Sequence, residues 1–251
     1  MMAQRRAVLA MGLALCLSAC TVPGPGDAPD GIHDPYETQN RKTHEFNRKL
    51  DQKLVRGSGS GYTDTVPAEL RDGINNFADT LSLPQTVANQ VLQGRLGRAT
   101  RNTLRFSVNA TLGLGGILDV ATDLGLPEDE SDFGETLHVW GVPEGAYLEL
   151  PVLGPTTERD AVGDFVDLFT DPLSYVLTTP QRRVKTGVRI LDKVGERGEF
   201  GDTVDSILYD SADSYTQLRL IYLQNRRFEL GDADASGDAY IDPEALDTEG
   251  F

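Results

Sequence analysis

Cysteine is nearly absent from this sequence. The chain of 251 residues has two cysteines, Cys16 and Cys20, and both lie close to its first residue. Removal of a leader that ends before Cys20 would leave no second cysteine for a disulfide and no set of thiolates for a metal site. Disulfide-stapled and zinc-thiolate folds are therefore excluded.

Basic side chains are also scarce. Lysine and arginine number 23 against 39 aspartates and glutamates, and the formal net charge is −16. An acidic surface repels the phosphate backbone of DNA and RNA, so no nucleic-acid partner is expected.

The sequence lacks motifs of catalysis and cofactor binding. Its three histidines, His33, His44 and His138, are far apart and show no metal-ligand spacing, and no GxSxG nucleophile motif is present. The Gly-rich stretch NATLGLGGILDVA (residues 109–121) fails as a nucleotide loop because Leu118 stands where GxGxxG needs its third glycine. We expect no metal, no cofactor and no enzymatic activity.

One acidic segment resembles half of a calcium loop. DADASGDAYIDPE (residues 232–244) begins like an EF-hand, but Pro243 occupies the position of the bidentate glutamate. A solvated acidic tail is the simpler interpretation, and a Ca²⁺-regulated envelope protein stays an alternative.

Long apolar runs are missing except at the start of the chain. Arg5 and Arg6 precede an uncharged run, Ala7 to Leu17, that is too short to span a bilayer and is typical of a secretory signal. The tetrapeptide LSAC, which ends at Cys20, resembles a bacterial lipobox. That resemblance implies cleavage before Cys20 and acylation of this cysteine, for example with palmitate. Thr21 in place of aspartate points to the outer membrane.

Composition divides the chain into four parts. A signal peptide (1–19) is followed by a Pro/Gly/Asp-rich flexible tether (20–33) from the lipidated cysteine. Residues 34–228 are long enough for one domain with a real core. Residues 229–251 contain eight acids and no lysine or arginine, so we predict a disordered acidic tail.

Hydrophobic spacing predicts an all-α domain with little strand. Short amphipathic helices are expected after Asp34-Pro35, after Pro67, after Pro84 and near residues 99–109, with a flexible break at the GSGSG of residues 57–61. One short strand is predicted at Tyr147 to Leu150. Two longer antiparallel helices, joined by a turn with Gly198 and Gly201, are predicted to follow.

Four phrases in fixed order resemble the MlaA (VacJ) family of outer-membrane lipoproteins. They are DPYETQNRKTHEFNRKLD (34–51), VPAELRDGINNFADTLSLPQTVANQVLQG (66–94), RFSVNATLGLGGILDVA (105–121) and FGETLHVWGVPEGAYLELPVLGPTTERD (133–160). The sequence departs from the family pattern at Gln39, at GSGSG and at Ala146.

The resemblance implies transport of phospholipid. Family members remove mislocalised phospholipid from the outer leaflet of the outer membrane and pass it to a soluble periplasmic carrier, MlaC, which maintains lipid asymmetry. Their helices form a ring embedded in the bilayer around an amphiphilic pore, beside a trimeric porin. The competing hypothesis is a structural lipoprotein that scaffolds porins or envelope complexes without moving lipid.

The Gly-rich stretch is the main candidate for a lipid path or pore rim. We expect its apolar side chains to meet acyl chains, its glycines to allow tight bends, and polar residues to mark its two ends. A tight glycine turn in a core is the alternative. The candidates are Asn109, Leu112, Gly113, Leu114, Gly115, Gly116, Ile117, Leu118 and Asp119.

Two further pairs are candidates on the strength of the resemblance. Phe46 and Asn47 belong to a segment thought to help close the ring, with a buried phenylalanine beside a capping asparagine as the alternative. Trp140 and Tyr147 are candidate anchors at the level of the lipid headgroups. A position in the core is the alternative for both aromatic residues.

Overall fold

The computed structural model describes residues 31–231, together with Pro23 and Ala28. The predicted lipidation site Cys20, the predicted signal peptide, most of the predicted tether and the calcium-loop-like segment lie outside the described residues. Within them the chain is all-α with a single two-stranded sheet, which confirms the predicted class.

Helices account for most of the described chain. They are α1 (Glu37–Leu50), α2 (Arg56–Thr65), α3 (Ala68–Leu92), α4 (Leu96–Thr111), α5 (Val120–Asp123), α6 (Phe133–Val139), α7 (Glu158–Thr170), α8 (Pro172–Val176), α9 (Thr179–Glu199), α10 (Gly201–Asp205) and α11 (Ser214–Leu230). Two π-helical turns, Asp51–Val55 and Ser206–Asp210, follow α1 and α10. Strands β1 (Tyr147–Leu150) and β2 (Gly154–Thr157) pair antiparallel, and β1 confirms the predicted strand.

The GSGSG segment does not break the first helical stretch, so that prediction is wrong. Residues 57–61 lie inside α2, where the hydroxyl of Ser58 donates 2.7 Å to the carbonyl of Leu54. The glycines serve a close helix crossing instead. A Cβ on Gly59 would lie 2.9 Å from the backbone nitrogen of Gly198 on α9, so only glycine allows this approach.

Pro84 does not begin a new helix, and this prediction is also wrong. It lies inside α3, which continues to Leu92 although proline removes one backbone donor. Gly94, with φ +74°, then turns the chain into α4, and α3 and α4 pack along one another. Packing against α4 therefore outweighs the local cost of the proline.

The two long late helices exist, but their pairing was predicted wrongly. α9 packs against α2 and α3, whereas α11 packs against β2 and the second π turn. The connection between them is not a simple glycine turn, because α10 and that π turn lie between. α11 ends at Leu230, capped by Gly231 with φ +81°.

The interior is unusually polar. One apolar cluster joins Phe133, Leu137 and Val142, and a second joins Tyr147, Tyr215 and Leu223. Elsewhere, buried amides form hydrogen bonds with backbone and side chains; for example, Asn102 donates a hydrogen bond of 3.0 Å to Gln90. Many large apolar side chains lie on the surface instead. Such exposed apolar area is typical of a protein that contacts lipid or a partner.

Within the described residues, no helix is both long and apolar enough to cross a membrane.

Candidate functional site

The α4–α5 connection presents an apolar loop, defined here as residues 112–118. Leu112, Leu114, Ile117 and Leu118 are all exposed, Leu114 to 69%. The backbone bends sharply, with positive φ at Leu114, Gly115 and Gly116. A Cβ on Gly116 would lie 2.7 Å from the Cβ of Thr80 on α3. The loop is thus packed tightly by its glycines while its large side chains face outward, which a core turn would not do.

A buried polar scaffold holds both ends of the apolar loop. The side-chain N–H of Asn109 donates a hydrogen bond of 2.9 Å to the carboxylate of Asp119. The side-chain oxygen of Asn109 accepts a hydrogen bond of 2.9 Å from the backbone N–H of Ala121. Buried Arg105 donates 3.1 Å to the other carboxylate oxygen of Asp119. Burial of Asp119 is outweighed by bonds from Thr122 and Asn109, so the pKa of this carboxyl is lowered. The predicted polar ends are therefore a rigid base for the exposed leucines.

Phe46 and Asn47 lie together on α1 but have different environments. Phe46 is 51% exposed, which excludes the alternative of a buried phenylalanine. The Asn47 side chain donates 2.9 Å to the carbonyl of Leu150 and accepts 2.7 Å from the backbone of Val152. Asn47 therefore fixes the β1–β2 turn, in which Val152 has a positive φ of 71°. The predicted role of this pair in ring closure stays a prediction.

The two candidate anchors, Trp140 and Tyr147, differ in their exposure to solvent. Trp140 is 46% exposed, and its indole N–H donates 3.2 Å to the carbonyl of Leu92. It remains a candidate anchor. Tyr147 is only 1% exposed and packs edge to face against Tyr215 at 5.9 Å between centroids. The prediction that Tyr147 is a surface anchor is wrong, because its position on β1 points it into the core.

The sequence interpretation missed a cavity of about 570 Å³. It lies between α3, α7, α8, α9 and the segment before α6. We call it the charged cavity. Its lining residues are Ser82, Gln85, Thr86, Glu130, Ser131, Asp132, Asp164, Asp167, Leu168, Asp171, Ser174, Arg182, Lys185, Thr186 and Arg189.

Six of the eight charged residues of the lining lie in two rows, and the other two, Glu130 and Asp132, precede α6. Asp164, Asp167 and Asp171 follow one another at spacings of three and four along α7 and its end, and Arg182, Lys185 and Arg189 repeat the same spacing on α9. Residues three or four apart share one helix face. A basic helical stripe in so acidic a chain was the sequence signal that could have revealed this site.

Electrostatics differ along the acidic row. Partial burial and the neighbouring carboxylates Asp132, Asp160 and Asp167 raise the pKa of Asp164 to about 6. Burial also raises the pKa of Asp167. At Asp171 burial is outweighed by the bond that Lys185 donates at 2.5 Å, and the pKa is lowered.

Exposed apolar side chains lie next to cavity-lining residues along α7 and α8. We call this set the apolar rim, and it contains Phe165, Leu168 and Phe169 of α7 with Tyr175 and Val176 of α8. Phe165 and Phe169 contact each other edge to face at 5.1 Å. Leu168 belongs to both the rim and the cavity lining. A polar chamber and an apolar border therefore share α7, which matches the two halves of an amphiphile.

The histidines and carboxylates of the described chain are arranged for other roles than a metal cluster. Across residues 31–231 the structure contains no group of three or more His, Asp or Glu side chains arranged to hold a metal ion. His44 instead bonds Ser214 at 2.9 Å inside the protein.

Comparison with known proteins gives concordant results. A family model described as MlaA lipoprotein matches residues 32–229. The intermembrane phospholipid transport system lipoprotein MlaA of Escherichia coli K12 is 34% identical over 89% of this chain and 88% of that protein. An uncharacterized protein of Rickettsia conorii is 33% identical over 75% of this chain and 74% of its own length.

A solved structure is also similar. It comes from work on the structural basis for maintenance of bacterial outer membrane lipid asymmetry. It superposes with a TM-score of 0.68 at 35% identity, and the match covers 78% of this chain and 98% of that chain.

Proposed function

The chain belongs to the MlaA lipoprotein family, and on that premise we propose that it removes mislocalised phospholipids from the outer leaflet of the outer membrane. It then hands them to a soluble periplasmic carrier and so maintains lipid asymmetry. The relatives named as phospholipid transport lipoproteins support this function. The activity is transport, without a catalytic step.

The observation that carries the proposal is the charged cavity beside the apolar rim. A phospholipid has a charged headgroup that is costly to bury in hydrocarbon and acyl chains that are costly to expose to water. The cavity offers ion-pairing groups to the headgroup, and Leu168 with its apolar neighbours offers a surface to the chains. A lipid can therefore leave the leaflet without exposing either part.

Anchoring and partners complete the proposal. Acylation of Cys20 holds the protein to the outer membrane, since each buried CH₂ contributes about 0.8 kcal/mol. The apolar loop and the apolar rim embed the helical domain in the bilayer. A carrier similar to MlaC receives the lipid on the periplasmic side, and a trimeric porin lies beside the domain.

Surface labelling of aminophospholipids on intact cells tests the function. We expect more labelled lipid in a deletion strain, and correction by the native gene but not by Cys20→Ala. Thr186→Trp, which adds bulk at an exposed position of the cavity lining, should also fail to correct the defect. Val184→Trp is the matched control, because this exposed residue lies on the same helix and does not line the cavity.

Two results would contradict the proposal. Equal labelling in all strains would favour the scaffold hypothesis, in which the protein moves no lipid. Full correction by Thr186→Trp, at native protein levels, would exclude the cavity as the route of the headgroup.

A further inference from the structure

Some charges of the cavity are already neutralised by the protein. Asp171 pairs with Lys185, and Asp132 accepts 2.8 Å from Arg226. Asp167 accepts 2.9 Å from the backbone N–H of Phe133 and 3.1 Å from Asn89. These groups have partners before any ligand arrives, so they contribute little to selecting one.

Other charges of the lining have no ion pair. Asp164 and Glu130 form no salt bridge within 4 Å anywhere in the described chain, and the same holds for Arg182 and Arg189. The guanidinium of Arg182 donates one hydrogen bond to the carbonyl of Ser174 and one to the hydroxyl of Thr179, and neither acceptor is charged. These two carboxylates and two guanidinium groups are exposed to solvent and lack a close ion pair in the described chain. Opposite charges act on three of them at longer range: Lys193 on Glu130, Arg226 on Asp164 and Asp192 on Arg189.

This balance matches a zwitterion. Guanidinium groups recognise phosphate through several N–H donors, and carboxylates accept hydrogen bonds from a primary ammonium. A quaternary ammonium cannot donate hydrogen bonds and binds best over aromatic faces. Among the residues that the structure describes, none of those lining the charged cavity is aromatic. An anionic glycerol headgroup would bring no positive charge to Asp164 and Glu130.

We propose that the charged cavity selects phospholipids whose headgroup is a phosphate joined to a primary ammonium, as in phosphatidylethanolamine. Arg182 and Arg189 contact the phosphate, and Asp164 and Glu130 contact the ammonium. This selectivity rests on the proposed transport function, since it concerns the same site and names the headgroup that the site favours.

The electrostatics of the acidic pair agree with this assignment. The pKa of Asp164 is raised to about 6, and partial desolvation with the neighbouring Glu128 raises the pKa of Glu130 against the opposing charge of Lys193, although both side chains reach solvent. Both carboxyls are thus less stable as anions when the cavity is empty, and a bound ammonium would relieve that cost. The cavity volume of about 570 Å³ lies within the range of pockets that hold small ligands.

The test measures which lipid the full-length protein binds. Purified protein is equilibrated with vesicles of equal phosphatidylethanolamine and phosphatidylglycerol that carry identical acyl chains, and bound lipid is quantified by mass spectrometry. We expect roughly fivefold enrichment of phosphatidylethanolamine, the factor that a partly exposed ion pair supplies. A second mixture replaces phosphatidylethanolamine with phosphatidylcholine, for which we expect little enrichment.

Variants assign the effect to residues. Asp164→Asn with Glu130→Gln should abolish enrichment while total bound lipid stays within about twofold of native. Arg182→Gln with Arg189→Gln should lower total bound lipid several-fold. Asp64→Asn is the matched control, because it removes one exposed carboxylate from the end of α2, outside the cavity lining.

The outcomes distinguish the two proposals. Bound lipid in the ratio of the vesicles would overturn the headgroup selectivity and leave transport intact. Equal enrichment of phosphatidylcholine and phosphatidylethanolamine would overturn the role of the primary ammonium. Absence of any bound phospholipid from the native protein would overturn the transport function and this inference with it.

Discussion

The region around β1 and the charged cavity use carboxylates in opposite ways. Beside β1, the buried carboxylate of Glu149 accepts 3.1 Å from Asn47 and 2.8 Å from Tyr147. In the cavity, Asp164 has no ion-pair partner in the described chain although other carboxylates crowd it. Charges with full sets of donors hold the fold together, and charges without partners are available to a ligand.

The largest expected effect comes from breaking the first region. Glu149→Ala leaves the Tyr147 hydroxyl and one N–H of the Asn47 amide without their acceptor, while the amide keeps its bond to Leu150, and we expect the free energy of unfolding to fall by about 3 kcal/mol. Urea denaturation measures this change. Glu149→Gln is the control, since it retains one acceptor and should lose roughly half as much. Equal losses in the two variants would show that the bonds to Asn47 and Tyr147 are not the cause.

A helix crossing outside both regions gives the next largest effect. A Cβ on Gly198 would collide with the carbonyl of Gly59 and lie 2.6 Å from the side chain of Thr63. We expect Gly198→Ala to cost about 2 kcal/mol, because α2 and α9 must move apart. Gly187→Ala on the same helix meets no atom within 4 Å and should stabilise by up to about 1 kcal/mol. Thermal unfolding should therefore shift in opposite directions for the two variants.

A substitution in the apolar loop should change stability and lipid binding in opposite directions. Leu114 has φ +54°, which costs an L-residue about 1 kcal/mol, and it buries little surface in return. Leu114→Asn should raise stability by roughly 0.5–1 kcal/mol, since asparagine tolerates this backbone. It should also weaken binding to phospholipid vesicles, as measured by co-sedimentation.

A neighbouring leucine provides the control for that variant. Leu112 is similarly exposed but begins the loop with φ −81°. Leu112→Asn should weaken vesicle binding without any gain in stability. Unchanged vesicle binding in both variants would remove the apolar loop from the membrane-contacting surface.

The fold class followed from local signals, but the crossings and the cavity did not. The apolar period of residues 147–150 and the spacing of the late helices were enough to predict a strand and long helices. GSGSG and Pro84 misled the prediction because the approach of Gly59 to Gly198 and the packing of α3 on α4 are long-range contacts. Tertiary packing outweighs local propensity at such places.

The candidate site was predicted only where its residues are contiguous. The apolar loop is one run of sequence, so its exposed leucines could be expected from composition. The charged cavity joins α3, α7 and α9, which lie up to a hundred residues apart. In the sequence, each row of charges is typical of a solvated helix face. The packing of α9 is what places Lys185 beside Asp171.

The smallest expected effect is in the pH dependence of stability. An unfolded aspartate binds protons only below about pH 4, whereas folded Asp164 has a pKa of about 6. Between pH 4 and pH 6 the folded state binds more protons at this group, so its contribution to stability falls as pH rises. Asp164→Asn should remove that slope and raise stability at pH 7 by less than about 1 kcal/mol, because the side chain borders water.

Asp213 provides the opposite case for the same measurement. Bonds from Arg41 lower its pKa, so its stabilisation is present above about pH 4 and is lost as pH falls further. Asp213→Asn should therefore lower stability at pH 7 and flatten the acid limb below pH 4. The two variants could instead change the pH profile in the same direction. Carboxylates with and without an ion pair would then have the same effect on stability, contrary to this comparison. Opposite changes would show that the unpaired carboxylate of Asp164 lowers the stability of the protein at pH 7, whereas the paired carboxylate of Asp213 raises it.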